Sequence, residues 1–134
     1  GEKDFQQLQI IKKLVVKNNL PVNIIGCPIF RAESGLAMSS RNERLSAEER
    51  EKAAIIFQTL TVAKEKFKTK SAKWVTEWVQ KSFENNPLFD LEYFVIADEA
   101  TLLPCSTKNK NKKYRAFIAI FVNNIRLIDT ISLN

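Results

Sequence analysis

Histidine is absent from this chain of 134 residues, and glycine, cysteine and methionine are scarce, at three, two and one. Without histidine there is no Ser-His or Cys-His pair for nucleophilic catalysis, and a zinc centre loses its usual nitrogen ligand. Cys27 and Cys105 form no CxxC motif, so no thiolate cluster is available, and two unpaired thiols fit a reducing cytosol. No apolar run nears the roughly 18 residues needed to span a bilayer, and no signal-peptide pattern opens the chain. The chain begins at Gly1, directly before a helix, with neither a lead-in strand nor an initiator Met. It reads as cut from something longer.

A hydrophobic content of 45% supports one core, or one core with a small appendage. The net charge of +6 and pI near 9.4 favour polyanionic partners: nucleotides, nucleic acid or acidic surfaces. Much of the excess lies in Lys108, Lys110, Lys112 and Lys113, which alternate with asparagine and read as a solvated loop before a strand.

Helical spacing of Phe5, Leu8, Ile11, Leu14 and Val15 predicts a helix over residues 4 to about 18, with Asp4 and Gln7 placed as a capping box. Lys12, Lys13 and Lys17 fall toward its C-terminal end, where cations complement the dipole. Residues 22–27, β-branched and bounded by Pro21 and Pro28, read as a buried parallel strand. Residues 29–44 lack periodicity and form a loop, of a length that is usually functional or disordered. Ser46 and Glu49 then open a helix with the stripe Ala53, Ile56, Phe57, Leu60, Ala63 and Phe67. A second helix starts at Ser71 with Trp74, Val75, Trp78, Val79 and Phe83 inward, the aromatics reading as core rather than as a stacking surface for bases. Residues 91–97 are a strand, and residues 114–122 and 125–133 a hairpin turning at Asn123-Asn124. The expected fold class is α/β followed by α+β. Residues 1–44 are the end of a Rossmann-like nucleotide-binding domain, and residues 45–134 a small lid of two helices and about three antiparallel strands.

Two segments carry chemistry. Gly35-Leu36-Ala37-Met38-Ser39-Ser40-Arg41-Asn42 is a hydroxyl-rich loop ending in a fixed positive charge. Gly1-Glu2-Lys3-Asp4-Phe5-Gln6-Gln7-Leu8 places an ammonium, a carboxylate and an amide on a first helical turn. Hydroxyls with a guanidinium fork suit phosphoryl oxygens, and a lysine near a helix start is poorly placed for the dipole unless an anion visits. Together they read as two walls of a nucleotide-phosphate site whose other walls are missing.

These two segments, with Gly26-Cys27-Pro28-Ile29-Phe30-Arg31 and Arg126-Leu127-Ile128-Asp129, resemble the pantothenate synthetases, or pantoate–β-alanine ligases, in order along essentially the whole chain. The match is to the second half of that enzyme. The resemblance implies an ATP-dependent ligase in two steps: ATP and pantoate give pantoyl adenylate and pyrophosphate with Mg2+, then β-alanine displaces AMP. It implies a cytoplasmic enzyme of coenzyme A precursor synthesis, homodimeric through the missing domain. That domain would also hold the His-x-Gly-His phosphate motif, the Mg2+ ligands and most of the pantoate pocket. No metal ligand is expected here, and the chain alone is expected to be inactive.

Carried over position by position, Lys3, Ser39, Ser40 and Arg41 act on the phosphates during catalysis. Gly1, Glu2, Asp4, Phe30 and Met38 complete the ATP site, and Gln7 holds pantoate. Each has a plainer reading. Asp4 and Gln7 are also the two halves of a helix cap, Gly1 and Glu2 contribute through backbone, and Ser39-Ser40 is also an ordinary turn before a capped helix. Phe30 stands where the family holds adenine by backbone groups and Met38 contributes packing. Asp129, beside Arg126 in the last strand, reads as reaching substrate, and strand alternation with a structural ion pair accounts for the two as well. Asn123-Asn124-Ile125 departs from the family's Gly-Lys-Thr hairpin tip. A basic nucleic-acid-binding module is the alternative, resting on charge and strand aromatics but lacking RNP-like, KH-type or zinc-knuckle patterns. A third reading is an interaction domain pairing through the edge of the terminal hairpin.

Overall fold

Three runs rich in β-branched and aromatic residues organise the molecule. The computed structural model describes residues 1–134 and places β1 (Phe89–Asp98), β2 (Tyr114–Val122) and β3 (Ile125–Ser132) in one antiparallel sheet of order β1-β2-β3. The hairpin turns where expected. Val122 pairs with Ile125, and Asn123 takes a φ of 54°, a conformation asparagine tolerates better than most residues. Its side-chain amide donates to the Glu49 carboxylate, which ties the tip to the helical layer.

The helices are α1 (Phe5–Lys17), α2 (Ala47–Lys52), α3 (Ala54–Phe67) and α4 (Ala72–Glu84). Ser46 and Glu49 cap α2 reciprocally, as the spacing predicted. A turn at Ala53 divides the first predicted helix of the lid into α2 and α3. One face of the sheet carries α3 and α4: Ile56, Leu60, Val75 and Val79 interlock with Ile118, Ile120 and Val122, all at most 2% exposed. Each such side chain contributes roughly 1.5–3 kcal/mol on burial. Edge-on ring pairs, Phe67 with Tyr114 and Phe83 with Phe89, close the two ends of this core.

The opposite face receives the start of α1. Phe5 packs on Phe117 with ring centroids 5.9 Å apart, and the Arg115 guanidinium lies 4.2 Å from the Phe5 centroid. Only this first turn is buried. Phe5 and Leu8 are covered, whereas Ile11 and Leu14 are 39% and 53% exposed, so the predicted apolar stripe of α1 meets nothing beyond its first two turns.

Three further expectations are corrected. Residues 22–27 form no strand, because a strand needs a ladder partner and no neighbouring chain segment offers one; Val22 and Ile25 are exposed. Asp4 makes no side-chain cap, since Glu2–Asp4 winds as a tight 3₁₀ turn before α1. Trp74 is exposed rather than core, while Trp78 is half-buried against the edge of the core. The inward seam of α4 is Ala72, Val75, Val79 and Phe83, and both indoles lie near the Lys66 ammonium, 5.4 and 5.0 Å from the ring centroids. The basic run is exposed as expected, and within it the Lys108 ammonium also donates to the Phe67 carbonyl that ends α3 and to the Lys70 carbonyl just beyond.

Candidate functional site

The outer edge of β3 faces no fourth strand, so its carbonyls need other donors. Two arginines from the long loop supply them. Arg31 Nη2 donates to the Thr130 carbonyl and Arg41 Nη1 to the Arg126 carbonyl, each at 3.3 Å. The loop is thereby pinned along the strand at two points.

Arg31 does more. Its guanidinium meets the Asp129 carboxylate at two points, 2.7 and 2.9 Å, donates to the Gly35 carbonyl at 3.0 Å, and lies 3.9 Å from the Phe57 ring centroid. Asp129 is buried and its Oδ1 also accepts from the Thr130 amide at 2.7 Å. Around this anchor residues 31–37 fold back on themselves, with Arg31 bridged to Ala37 and Met38 N donating to Phe30 O at 2.9 Å. Gly35 makes the fold-back feasible. Its φ is 93°, and a Cβ there would stand 2.5 Å from Phe57 Cδ1.

The hydroxyl-rich segment follows at once. Ser39 caps a 3₁₀ turn, Ser40–Arg44, by accepting from the Arg41 amide at 3.2 Å, which leaves its own hydroxyl proton free to donate outward. Asn42 is buried beneath, donating to the Ala37 carbonyl at 3.1 Å while its Oδ1 has no partner. Arg50 of α2 braces the turn through the Asn42 carbonyl.

The other wall comes from the N-terminal turn. Phe5, seated on Phe117, brings Lys3 against β3, and Gly26 lets residues 26–27 press on Leu8 so that Glu2 N bonds to Cys27 O at 2.8 Å. Lys3, Ser39, Asn42, Arg126 and Asp129 then border one narrow slot, whose free volume of about 10 Å³ holds no more than one water. Lys3 is half-buried and has no carboxylate in ion-pairing range. The interior of the slot is too small for a phosphate.

The structure thus brings Lys3 and Ser39 together and sets Arg41 beside them through Arg126. Gly1, Glu2, Asp4 and Gln7 lie on the turn and first residues of α1, outside the slot. Phe30, Met38 and Ser40 lie outside it too, Phe30 being 76% exposed. The pair Arg126–Asp129 does not form. Residues three apart on a strand point to opposite faces, so Asp129 turns to Arg31 while Arg126 Nε bonds Glu92 Oε2 at 2.6 Å. That alternation was available in the sequence. The partners Arg31 and Glu92 carried no sequence signal of their own.

Against known proteins, the family model described as pantoate-beta-alanine ligase matches residues 1–132. The pantothenate synthetase of Flavobacterium psychrophilum is 66% identical over 133 residues, which is 99% of this chain and 47% of that protein. That of Christiangramia forsetii is 58% identical over 134 residues, 100% and 47%. Among solved structures, the pantothenate synthetase of Thermus thermophilus superposes with a TM-score of 0.88 at 34% identity, covering 99% of this chain and 48% of that one. The pantoate-beta-alanine ligase of Francisella tularensis, solved with beta-gamma ATP and beta-alanine, superposes at 0.63 and 28% identity, covering 99% and 42%. The chain spans about half the length of the curated relatives it matches.

Proposed function

This chain belongs to the pantoate–β-alanine ligase family, and we propose that it supplies the phosphate-holding wall and the lid of that ATP-dependent ligase, residues 1–44 and 45–134 respectively. The observation that carries the reading is the convergence of Lys3 and Ser39 on one slot of β3, with Arg41 fixed to the same strand. In the first step a pantoate carboxylate oxygen attacks the α-phosphorus of ATP, and the bond to the bridging oxygen breaks, releasing pyrophosphate. In the second, the β-alanine amine attacks the pantoyl carbonyl, loses a proton and expels AMP.

Charge gathers on the phosphoryl oxygens and the departing pyrophosphate in the first step. The Lys3 ammonium and the Arg41 guanidinium meet it with fixed positive charge, and the Ser39 and Ser40 hydroxyls donate to it. Gly1, Glu2, Asp4, Phe30 and Met38 complete the nucleotide's surroundings, Asp4 through a carboxylate left uncommitted by any cap, and Gln7 orients pantoate through its amide. In this reading the Mg2+ that screens polyphosphate charge is held by acidic residues outside residues 1–134, and Asp129 and Glu92 of this chain are each paired with an arginine. The ligase is a cytoplasmic homodimer in this reading. For the nucleic-acid alternative no specific observation speaks, since the exposed Trp74 indole lies under the Lys66 and Lys70 ammonium groups and Trp78 is half-buried against the core.

The test is exchange of labelled pyrophosphate into ATP, run in the longest reading frame that contains this chain. Lys3→Ala and Arg41→Ala each lower the exchange rate about a hundredfold, as loss of one transition-state donor does, while the reaction of preformed adenylate with β-alanine continues. Exchange unchanged in both variants removes the assignment.

A further inference from the structure

We propose that Arg126 is an additional phosphate-binding residue of this site, held in readiness by Glu92. The inference rests on the ligase reading above and adds to it a residue and the carboxylate that holds its guanidinium until phosphate competes for it. Arg126 borders the same slot as Lys3 and Ser39, and its own carbonyl is the atom that Arg41 grips. Three segments that each carry a cation thus converge on one stretch of β3, Lys3 and Arg126 at the slot and Arg41 on the Arg126 carbonyl. Asp129 contributes no free negative charge to balance them, because Arg31 neutralises it at two points. Glu92 is the one carboxylate in ion-pairing range of the three.

The way Glu92 reaches Arg126 is specific. The ladder between β1 and β2 slips between Leu91 and Tyr93, so Glu92 is the extra residue opposite a β2 strand that has only Ala119 there. The bulge turns Glu92 and Tyr93 toward the sheet face away from α3 and α4, and the small Ala119 leaves room for a side chain from β3 to cross the intervening strand. Arg126 does so, with Tyr93 beside it, and Glu92 keeps its guanidinium firmly charged. The ion pair engages Nε, and Tyr93 also bonds the guanidinium, so only part of the fork that grips phosphoryl oxygens is left for another acceptor. The Arg126 and Glu92 side chains are 36% and 39% exposed, and exposed pairs of this kind add little to stability.

A pyrophosphate or triphosphate at the mouth of the slot competes with Glu92 for Arg126. The two partners of the pair are therefore unequal, which is the point of the test. In the longest reading frame containing this chain, Arg126→Gln raises the KM for pyrophosphate and for ATP in the exchange assay about tenfold, and Arg126→Lys recovers part of it. Glu92→Gln lowers the KM for pyrophosphate, about twofold or more, because the competing carboxylate is gone. The reaction of preformed adenylate with β-alanine keeps its KM for β-alanine in all three. Equal losses from Arg126→Gln and Glu92→Gln mark a structural pair and overturn the proposal, as does an Arg126→Gln KM within twofold of the parent. If Arg126→Gln fails to fold by circular dichroism, Arg126→Lys against Glu92→Gln decides in the same way. Absence of exchange in the unsubstituted protein removes the ligase reading and this assignment together, whereas exchange that ignores Arg126 removes the assignment alone.

Discussion

Arg31 and Asp129, separated by 98 positions in the chain, meet through two hydrogen bonds of 2.7 and 2.9 Å beneath the Phe57 ring. Arg31 begins the fold-back that presents Ser39 and Arg41, and Asp129 belongs to the last strand. The pair therefore sets the distance between the hydroxyl-rich turn and the sheet edge. The Asp129 side chain is 3% exposed and that of Arg31 is 19% exposed, which places this ion pair where neither partner is readily replaced by water.

Removing one partner should cost more than removing both. Asp129→Ala leaves a half-buried guanidinium without its counter-charge, and urea unfolding is expected to show a loss of about 3 kcal/mol. Arg31→Met combined with Asp129→Leu should recover much of that loss, because neither charge is then stranded. A double variant as unstable as the single one would contradict this account.

Gly35→Ala should destabilise through backbone and sterics at once. The φ of 93° is unfavourable for an L side chain, and the new methyl would press on the Phe57 ring that also seats Arg31. A loss of about 1–3 kcal/mol is expected. Gly35→Ala with Phe57→Leu should be milder than Gly35→Ala alone, since the ring edge is what the methyl meets. Thermal melts of the four proteins of that cycle provide the comparison.

Val79→Ala probes the seam of α4. Val79 is fully buried against the sheet, so the deletion leaves a void that packed neighbours fill only in part. About 1–3 kcal/mol should be lost. Trp74→Ala, on the outer face of the same helix, should change stability by no more than about 0.5 kcal/mol. Equal effects would mean that the indole belongs to the core after all.

Acid should weaken the protein partly through Asp98. The Thr101 amide, foremost, and then the Ala100 amide and nearby Lys112 favour its ionised form and hold it below the ordinary carboxylate range, against the opposing effect of burial. Its folded value lies under its unfolded value, so its stabilisation is complete above the unfolded value near pH 4 and disappears as pH falls through the folded one. Asp98→Asn should therefore flatten the stability profile below about pH 4. An unchanged acid limb in melts from about pH 2 to 6 would remove Asp98 from this role.

Much of residues 45–134 was legible because the signals there are local. The Ser46–Glu49 box, the Ser71 cap, the apolar spacing of α3 and the Asn123-Asn124 turn all act within a few residues, and each forms as the pattern requires. The misreadings share one cause. Residues 22–27 have strand-forming side chains but no strand to pair with, and α1 has an apolar stripe with little to cover it. Periodicity reports what a segment can bury, not whether something arrives to bury it. Trp74 misled for a related reason: helical spacing leaves two adjacent stripes open, the sheet selects one, and only Trp78 of the two indoles reaches its edge.

By itself the amino-acid sequence determined the kinds of chemistry on offer: no imidazole, no thiolate cluster, a guanidinium next to two hydroxyls, and an ammonium at a helix start. It determined too where helices begin and where the hairpin turns, since caps and turns are satisfied by neighbours in the chain. Only the tertiary structure decided which charges meet. Asp129 could have paired with Arg126, three residues away, but a pleated strand points them apart, and an arginine far back in the chain takes its place. The same sheet edge, with carbonyls that need donors, draws Arg31 and Arg41 to it and sets Lys3 and Ser39 across one slot.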